Sequence, residues 1–355
     1  NADNNYILKL TSAVHINIQN ITFQSFNDTY SGIIVLESSS DNVVLEGNIF
    51  IGMMDCLSIT NCTLIKGMGP NENLLIQNNT FTYGVTSISL TNGGYIDGLQ
   101  ILDNSFTDSY STVINISEYN NAIISNNIIK ADEMTGTGIY LTRCDGSLQV
   151  IENRLDVAGA SCGIRLYGCD ASVSNRGHIY NNIIRLVNFS SASASYCGIK
   201  IDGSSGGNNT EWQNIYHNTV EMTVAEGNSA LHVSYSYVDD IDIKNNLFIN
   251  KGENPYGIGY AMYIENSDNI TSDYNNLYST GSFLINWDQD EYTTLTDFHE
   301  DIADGFEQNS VSLNPAFQYS DPDSTFNLTP QLGLLDNLGI SVGVTTDING
   351  LARSS

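Results

Sequence analysis

A short pattern, apolar-x-apolar-x-x-Asn-x-apolar, recurs along most of this 355-residue chain and constrains its fold more than any other feature. It reads VVLEGNIF at 43–50, LLIQNNTF at 74–81, LQILDNSF at 99–106, AIISNNII at 122–129 and LQVIENRL at 148–155. It continues as HIYNNII at 178–184, IYHNTV at 215–220, IDIKNNLF at 241–248 and SDYNNLY at 272–278. The aligned asparagines are Asn48, Asn79, Asn104, Asn127, Asn153, Asn182, Asn218, Asn246 and Asn276, spaced 31, 25, 23, 26, 29, 36, 28 and 30 residues apart. An earlier copy, HINIQNITF at 15–23, aligns less cleanly.

A second pattern follows each asparagine from Asn79 to Asn246: TSISL at 86–90, TVINI at 112–116, GIYL at 138–141, GIRL at 163–166, GIKI at 198–201, ALHV at 230–233 and AMYI at 261–264. Most copies alternate apolar with variable positions and use β-branched or aromatic residues, which is strand chemistry. Two or three short strands per turn of roughly 28 residues, repeated about ten times, make an all-β solenoid whose coils stack as parallel sheets. The asparagine then has two expected jobs. It adopts the left-handed backbone of a sharp corner, and its amide hydrogen-bonds along a ladder that climbs about 4.8 Å per coil. The 44 asparagines are therefore structural rather than low-complexity filler, because the apolar residues keep phase with them.

Composition removes several function classes. With 12 Lys+Arg against 40 Asp+Glu, the formal charge is −28, which excludes a binder of phosphate backbones. At 41% hydrophobic the chain is too apolar for an acidic disordered tail. No run of about 18 apolar residues is present, so no membrane span is expected. The chain opens on Asn1 without a basic-then-apolar leader, and is expected to be a mature or excised piece of a longer precursor.

The tail is expected to cap the open end of the stack, which would otherwise be an adhesive edge. Residues 294–306 place Leu295, Phe298, Ile302 and Phe306 at helical spacing. The domain reading is β-helix coils over 1–280 and a capping segment of the same domain over 281–355. No comparable cap is visible before residue 15, so residues 1–12 or sequence beyond them would have to serve. Taken together, the repeats over 15–280 resemble the right-handed parallel β-helix proteins, the parallel β-helix repeat family of bacterial secreted and surface proteins. The segment YTTLTDFHEDIADGFEQNSVSLNPAF at 292–317, with FNLTP at 326–330 and DINGLAR at 347–353, is similar to the closing region of such proteins. The resemblance implies a right-handed helix of about 10 coils with a C-terminal cap containing a short helix, secreted or at the bacterial cell surface.

Stacked coils turn one strand phase into a column. One outward column runs Ser89, Asn115, Tyr140, Arg165, Lys200, His232, Tyr263; the next runs Thr91, Ser117, Thr142, Tyr167, Asp202, Ser234, Glu265. Seven of the 12 cationic residues lie between Lys130 and Lys200. Like charges about 4.8 Å apart repel by roughly 1 kcal/mol in water, so this column is an unusual choice. Tyr140, Arg165, Tyr167, Lys200, His232 and Tyr263 are the expected ligand-binding residues: aromatic faces stack on sugar rings, and cations meet carboxylates or sulfates. In a catalytic version, Lys200 beside Arg165 abstracts a proton and Tyr263 or His232 protonates the leaving oxygen. A hydrolytic version uses Asp202 and Glu265, two coils and about 9.6 Å apart, at the upper edge for an inverting pair. No catalytic motif of β-helix lyases or hydrolases is present.

Cys162 and Cys197 share one phase and Cys144 and Cys169 another, while Cys56 and Cys62 flank a strand; the two inter-coil pairs are expected to be free buried thiols. No CxxC or HExxH metal pattern occurs. Ca²⁺ is the one cofactor to consider, at Asp239, Asp240 and Asp242 or at DINGL 347–351, although neither has an EF-hand loop. The Gly-rich DGSSGGNN at 202–209 lacks the lysine of a phosphate loop. The expected function is an extracellular structural or adhesive module of a larger surface protein that binds glycans and adjoins other domains of its precursor. The alternative is a polysaccharide lyase or glycoside hydrolase.

Overall fold

Short period-2 strands separated by left-handed corners cannot continue straight, and here they wind into coils with three strands each. A computed structural model describes residues 5–353 apart from 28, 55, 57, 59–60, 188–195, 205–206, 224–227, 235–236, 253–258, 303–304 and 321–325. The coils form a parallel β-solenoid of about 9 turns. Face A begins with Leu8–Thr11 and Ile34–Glu37 and ends with Gly259–Ile264, Ile285–Trp287 and the antiparallel Asp290–Tyr292; face B runs from Asn17–Gln19 to Thr271–Asp273, and face C from Thr22–Gln24 to Asn276–Ser279. The second sequence pattern builds face A, and the asparagine pattern builds faces B and C around their shared corner. Leu8–Thr11 pairs in parallel with Ile34–Glu37, so these residues are a first coil and not a cap.

The lumen is filled by one side chain per coil at each inward phase. Phe23, Phe50, Phe81 and Phe106 stack with ring centroids 5.5, 4.8 and 4.7 Å apart. Ile129, Leu155, Ile184, Val220, Phe248 and Leu277 continue that column in register. Each such side chain contributes about 1.5–3 kcal/mol of burial.

The asparagine ladder is present, with its two jobs divided between neighbouring residues. The left-handed corner belongs to the residue before the ladder asparagine: Gly47, Asn78, Asp103, Asn126, Glu152, Asn181, His217, Asn245 and Tyr274 all have φ between 53° and 65°. The ladder residues Asn48, Asn79, Asn104, Asn127, Asn153, Asn182, Asn218 and Asn246 point inward and are at most 1% exposed. Each accepts at Oδ1 from the preceding coil, as Asn79 does from the backbone N–H and amide of Asn48 at 2.8 and 3.1 Å. Each amide also donates to a carbonyl of face B, as Asn79 does to Leu45 at 2.8 Å. Combining both roles in one residue fails physically, because the corner residue must face out while the ladder amide faces in. The last rung is Asn275, not Asn276: Asn246 donates to Asn275 Oδ1 at 3.0 Å, while Asn276 holds Leu313. The early copy aligns poorly because Ile21 occupies its ladder position and offers only its N–H to Asn48.

Past Asn275 the ladder ends on a carboxylate. The Asn275 amide donates to both oxygens of Glu307 at 3.2 and 3.3 Å, and Ser272 and Ser310 donate to Glu307 as well. Helix α1 (Leu295–Asp301), N-capped by Thr294, lays Phe298 against Trp287 and Tyr292 over the open lumen. It is shorter than the expected 294–306, and Phe306 reaches Trp287 from beyond a left-handed Gly305. The rest of the tail is not an end cap. It runs back outside face C as a strap: Arg154 donates to Phe326 and Asn349, Asn181 to Thr346, and Asn245 to Ile340.

Candidate functional site

The pairing register confirms the columns read from sequence. Asn115, Tyr140, Arg165, Lys200, His232 and Tyr263 are successive partners on face A, as are Ser117, Thr142, Tyr167 and Asp202. Ser234 and Glu265 follow the paired residues Val233 and Ile264 on the next two coils. All the expected ligand residues therefore share one surface.

Charge on that surface is internally compensated. Asp202 is only 5% exposed and sits between two cations. Arg165 Nε donates to Asp202 Oδ2 at 2.6 Å, Lys200 Nζ lies 3.3 Å from Oδ1, and Ser234 donates to Oδ1. Burial acts to lower the Arg165 pKa, but Asp202 and then Tyr140 outweigh it and raise it overall. The repulsion expected along the cation column is thus offset by one shared carboxylate. That arrangement leaves Asp202 unsuited to activating a water, and keeps the Lys200 ammonium engaged rather than free as a base. Above the pair, the guanidinium of Arg165 lies 5.1 Å from the Tyr140 ring centroid and 5.9 Å from that of Tyr167.

His232 is the centre of a second constellation spanning three coils. Its Nε2 lies 2.7 Å from Glu265 Oε1, and its Nδ1 lies 3.5 Å from Cys197 Sγ. Burial pulls its pKa down, but the hydrogen bonds with Cys197 and Glu265 prevail and lift it to about 9. The Cys197 thiol is held below its ordinary range by the hydrogen bond from Cys162 and then by His232, against the opposing effect of burial. The Tyr263 ring meets His232 edge-on at 4.9 Å and Tyr260 at 5.0 Å, and Tyr260 donates to Glu291 at 2.5 Å.

Cys197 was not legible as part of this surface. Counting by twos from Ile199 and Ile201 turns it inward. In the structure the following glycine faces the lumen: a Cβ on Gly163 would meet Ile184 Cγ2 at 2.7 Å and the Gly198 carbonyl at 2.6 Å. Ile164 and Ile199 are also fully buried, and Cys197, though itself buried, turns its thiol to His232 of the outer column. The repeated Gly-Ile pairs at 138, 163 and 198 carried that signal.

The remaining expectations divide. Cys144, Cys162, Cys169 and Cys197 are free and buried, as read. Cys56 and Cys62 are joined by a disulfide; of the strand expected between them, positions 57 and 59–60 lie outside the described residues, and the Asn61 and Cys62 N–H groups turn back onto the Ser58 carbonyl. Among the described residues no three metal-ligating side chains converge. Asp242 is taken up by Lys244, Tyr216 and Thr271, and Asp347 caps the N–H groups of Asn349 and Leu351. In 202–209, positions 205–206 lie outside the described residues, and Ser204 bridges Asn208. Among the described residues no helix is long and apolar enough to cross a membrane. A cleft between the strap and the B–C corner is lined by Asn181, His217, Asn245 and Tyr274. Burial, and then Arg353, drive His217 down to about 3. Compared with family models, curated proteins and solved structures, the chain gives no significant match.

Proposed function

We propose that this chain is an extracellular module of a larger secreted surface protein, of the right-handed parallel β-helix repeat type, and that face A binds glycans. The observation that carries the binding reading is the in-register platform of Tyr140, Arg165 and Tyr167 beside the His232–Tyr263 pair, on a flat sheet with a repeat of about 4.8 Å. Flat aromatic and guanidinium faces suit the apolar faces of sugar rings. Asp202 compensates the two cations, and the chain carries −28 overall, so the ligand is a neutral saccharide rather than a polyuronate. The Cys56–Cys62 disulfide supports an oxidising, extracytoplasmic setting. The lyase or hydrolase alternative has less support, because both Asp202 and Lys200 are spent on each other.

A glycan array followed by calorimetric titration of the best ligand tests this. Tyr167→Ala and Arg165→Ala are each expected to weaken binding about ten-fold or more, the scale of one lost stacking contact. Unchanged affinity in both variants, or a panel with no ligand at all, refutes the reading. Release of unsaturated or reducing ends from any polysaccharide would establish the enzymatic alternative instead.

A further inference from the structure

Two pairs of stacked thiols occur in this solenoid, in opposite environments. Cys144 and Cys169 lie at a core corner: the Cys144 N–H donates to Cys169 Sγ at 3.4 Å, and both thiols face backbone carbonyls. Burial and the neighbouring Cys144 push the Cys169 thiol well up. Cys162 and Cys197 are direct register partners on adjacent parallel strands of face A. Such partners have Cα atoms about 4.8 Å apart, within the range a disulfide spans. Only this second pair has an ionic partner, through His232 and its Glu265. Cys162 and Cys197 are buried, at 3% and 1% exposed, which excludes a protein disulfide as oxidant and leaves a small molecule such as peroxide as the reagent to test.

We propose that Cys162 and Cys197 form a peroxide-responsive thiol pair, Cys197 being oxidised first and Cys162 resolving it into an inter-coil disulfide. The Cys197 thiolate attacks one oxygen of hydrogen peroxide; an S–O bond forms, the O–O bond breaks, and the departing hydroxide takes a proton from the His232 imidazolium to leave as water. The Cys162 thiol then attacks the sulfenic sulfur. An S–S bond forms, the S–O bond breaks, and the second water carries away the Cys162 proton. Two thiols lose two electrons and peroxide gains them. Glu265, bonded to the far nitrogen of His232, positions the imidazole and stabilises its charge, as a positioning residue does. An external thiol reverses the bond by exchange.

The test uses the full chain with its four free thiols, treated with stoichiometric hydrogen peroxide and mapped by non-reducing peptide mass spectrometry. The expected product has lost two hydrogens and contains a peptide linking Cys162 to Cys197, with Cys144 and Cys169 still open to alkylation after unfolding. In Cys162→Ser the sulfenic acid persists on Cys197 and is captured by dimedone. His232→Gln removes the imidazolium and one of the two hydrogen bonds that hold the Cys197 thiol down, so oxidation slows by about three-fold or more. Consumption of Cys144 and Cys169 as fast as Cys162 and Cys197, or oxidation without the linked peptide, overturns the proposal. The wild-type map decides this even if a variant fails to fold.

Discussion

Asn127 lies at the middle of the ladder and is fully buried, so its truncation to alanine is the sharpest test of what holds the coils in register. Its Oδ1 accepts from the Asn104 N–H and amide, both at 3.1 Å, and its amide donates to the Ile101 carbonyl at 2.9 Å and to Asn153 at 3.0 Å. Alanine removes all four bonds and strands the buried Asn104 N–H, while the Asn104 amide keeps its bond to Ile76 and Asn153 Oδ1 keeps the backbone N–H of residue 127. At about 1 kcal/mol net per bond the loss is about 4 kcal/mol. The neighbour Asn126 is the control, because it is exposed and only supplies the left-handed corner at φ 55°. Asn126→Ala should cost about 1 kcal/mol and Asn126→Gly nearly nothing. Urea unfolding followed by circular dichroism and by the fluorescence of Trp212 and Trp287 reads both, two probes being needed because solenoid coils can unfold in blocks. An Asn127→Ala variant within about 1 kcal/mol of Asn126→Gly would refute the claim that the ladder amides, rather than the corners, carry the stability.

Glu307 should make the capped end pH-sensitive. Burial raises its pKa to about 7 against three hydrogen-bonding neighbours, so the folded state keeps a proton that the unfolded chain releases near 4.5. Its contribution is full below about pH 4.5 and falls by about 3 kcal/mol as the pH climbs to 7, and Glu307→Gln should flatten that slope in calorimetry across the window. Gly198→Ala places a Cβ against Val220 and 2.6 Å from the Ala230 carbonyl, and should cost about 1–3 kcal/mol of unfolding free energy by overpacking. Arg154→Ala removes the buried guanidinium that holds Phe326 and Asn349, so limited proteolysis should cut the strap faster while the melting of the coils is little changed; equal cleavage rates would show that the strap is held by its apolar contacts with Ile183 instead.

The repeat made the solenoid legible because a coil is a local unit: its strand parity, its corner and its inward asparagine all fall within about thirty residues. Register then follows, since a slip of one residue would bring Ile199 and Leu231 to the surface. For the same reason the columns from Tyr140 to Tyr263 and from Thr142 to Glu265 could be aligned from sequence. The reading faltered where geometry departs from that period. Asn275 and Asn276 are indistinguishable as letters, and only the phase of Leu277 against Phe248 decides which is the rung. Gly198 before Ile199 faces the lumen, and Cys197 turns its buried thiol to His232, which a count by twos does not reach.

The sequence by itself determined a stack of parallel coils with an asparagine ladder, most of the scarce cations on the middle coils, and one column in which tyrosines flank Arg165, Lys200 and His232. Tertiary structure alone decided what those residues do to one another. Asp202 binds Lys200 of its own strand and Arg165 of the neighbouring coil, His232 joins Cys197 to Glu265 across three coils, and Glu307 ends a ladder whose other rungs are asparagines. The physical reason is that hydrogen bonds and ion pairs depend on which side of a strand an atom leaves from, to within an ångström or so. Periodicity specifies the coil, but a single bulge or a returning strap resets the neighbours.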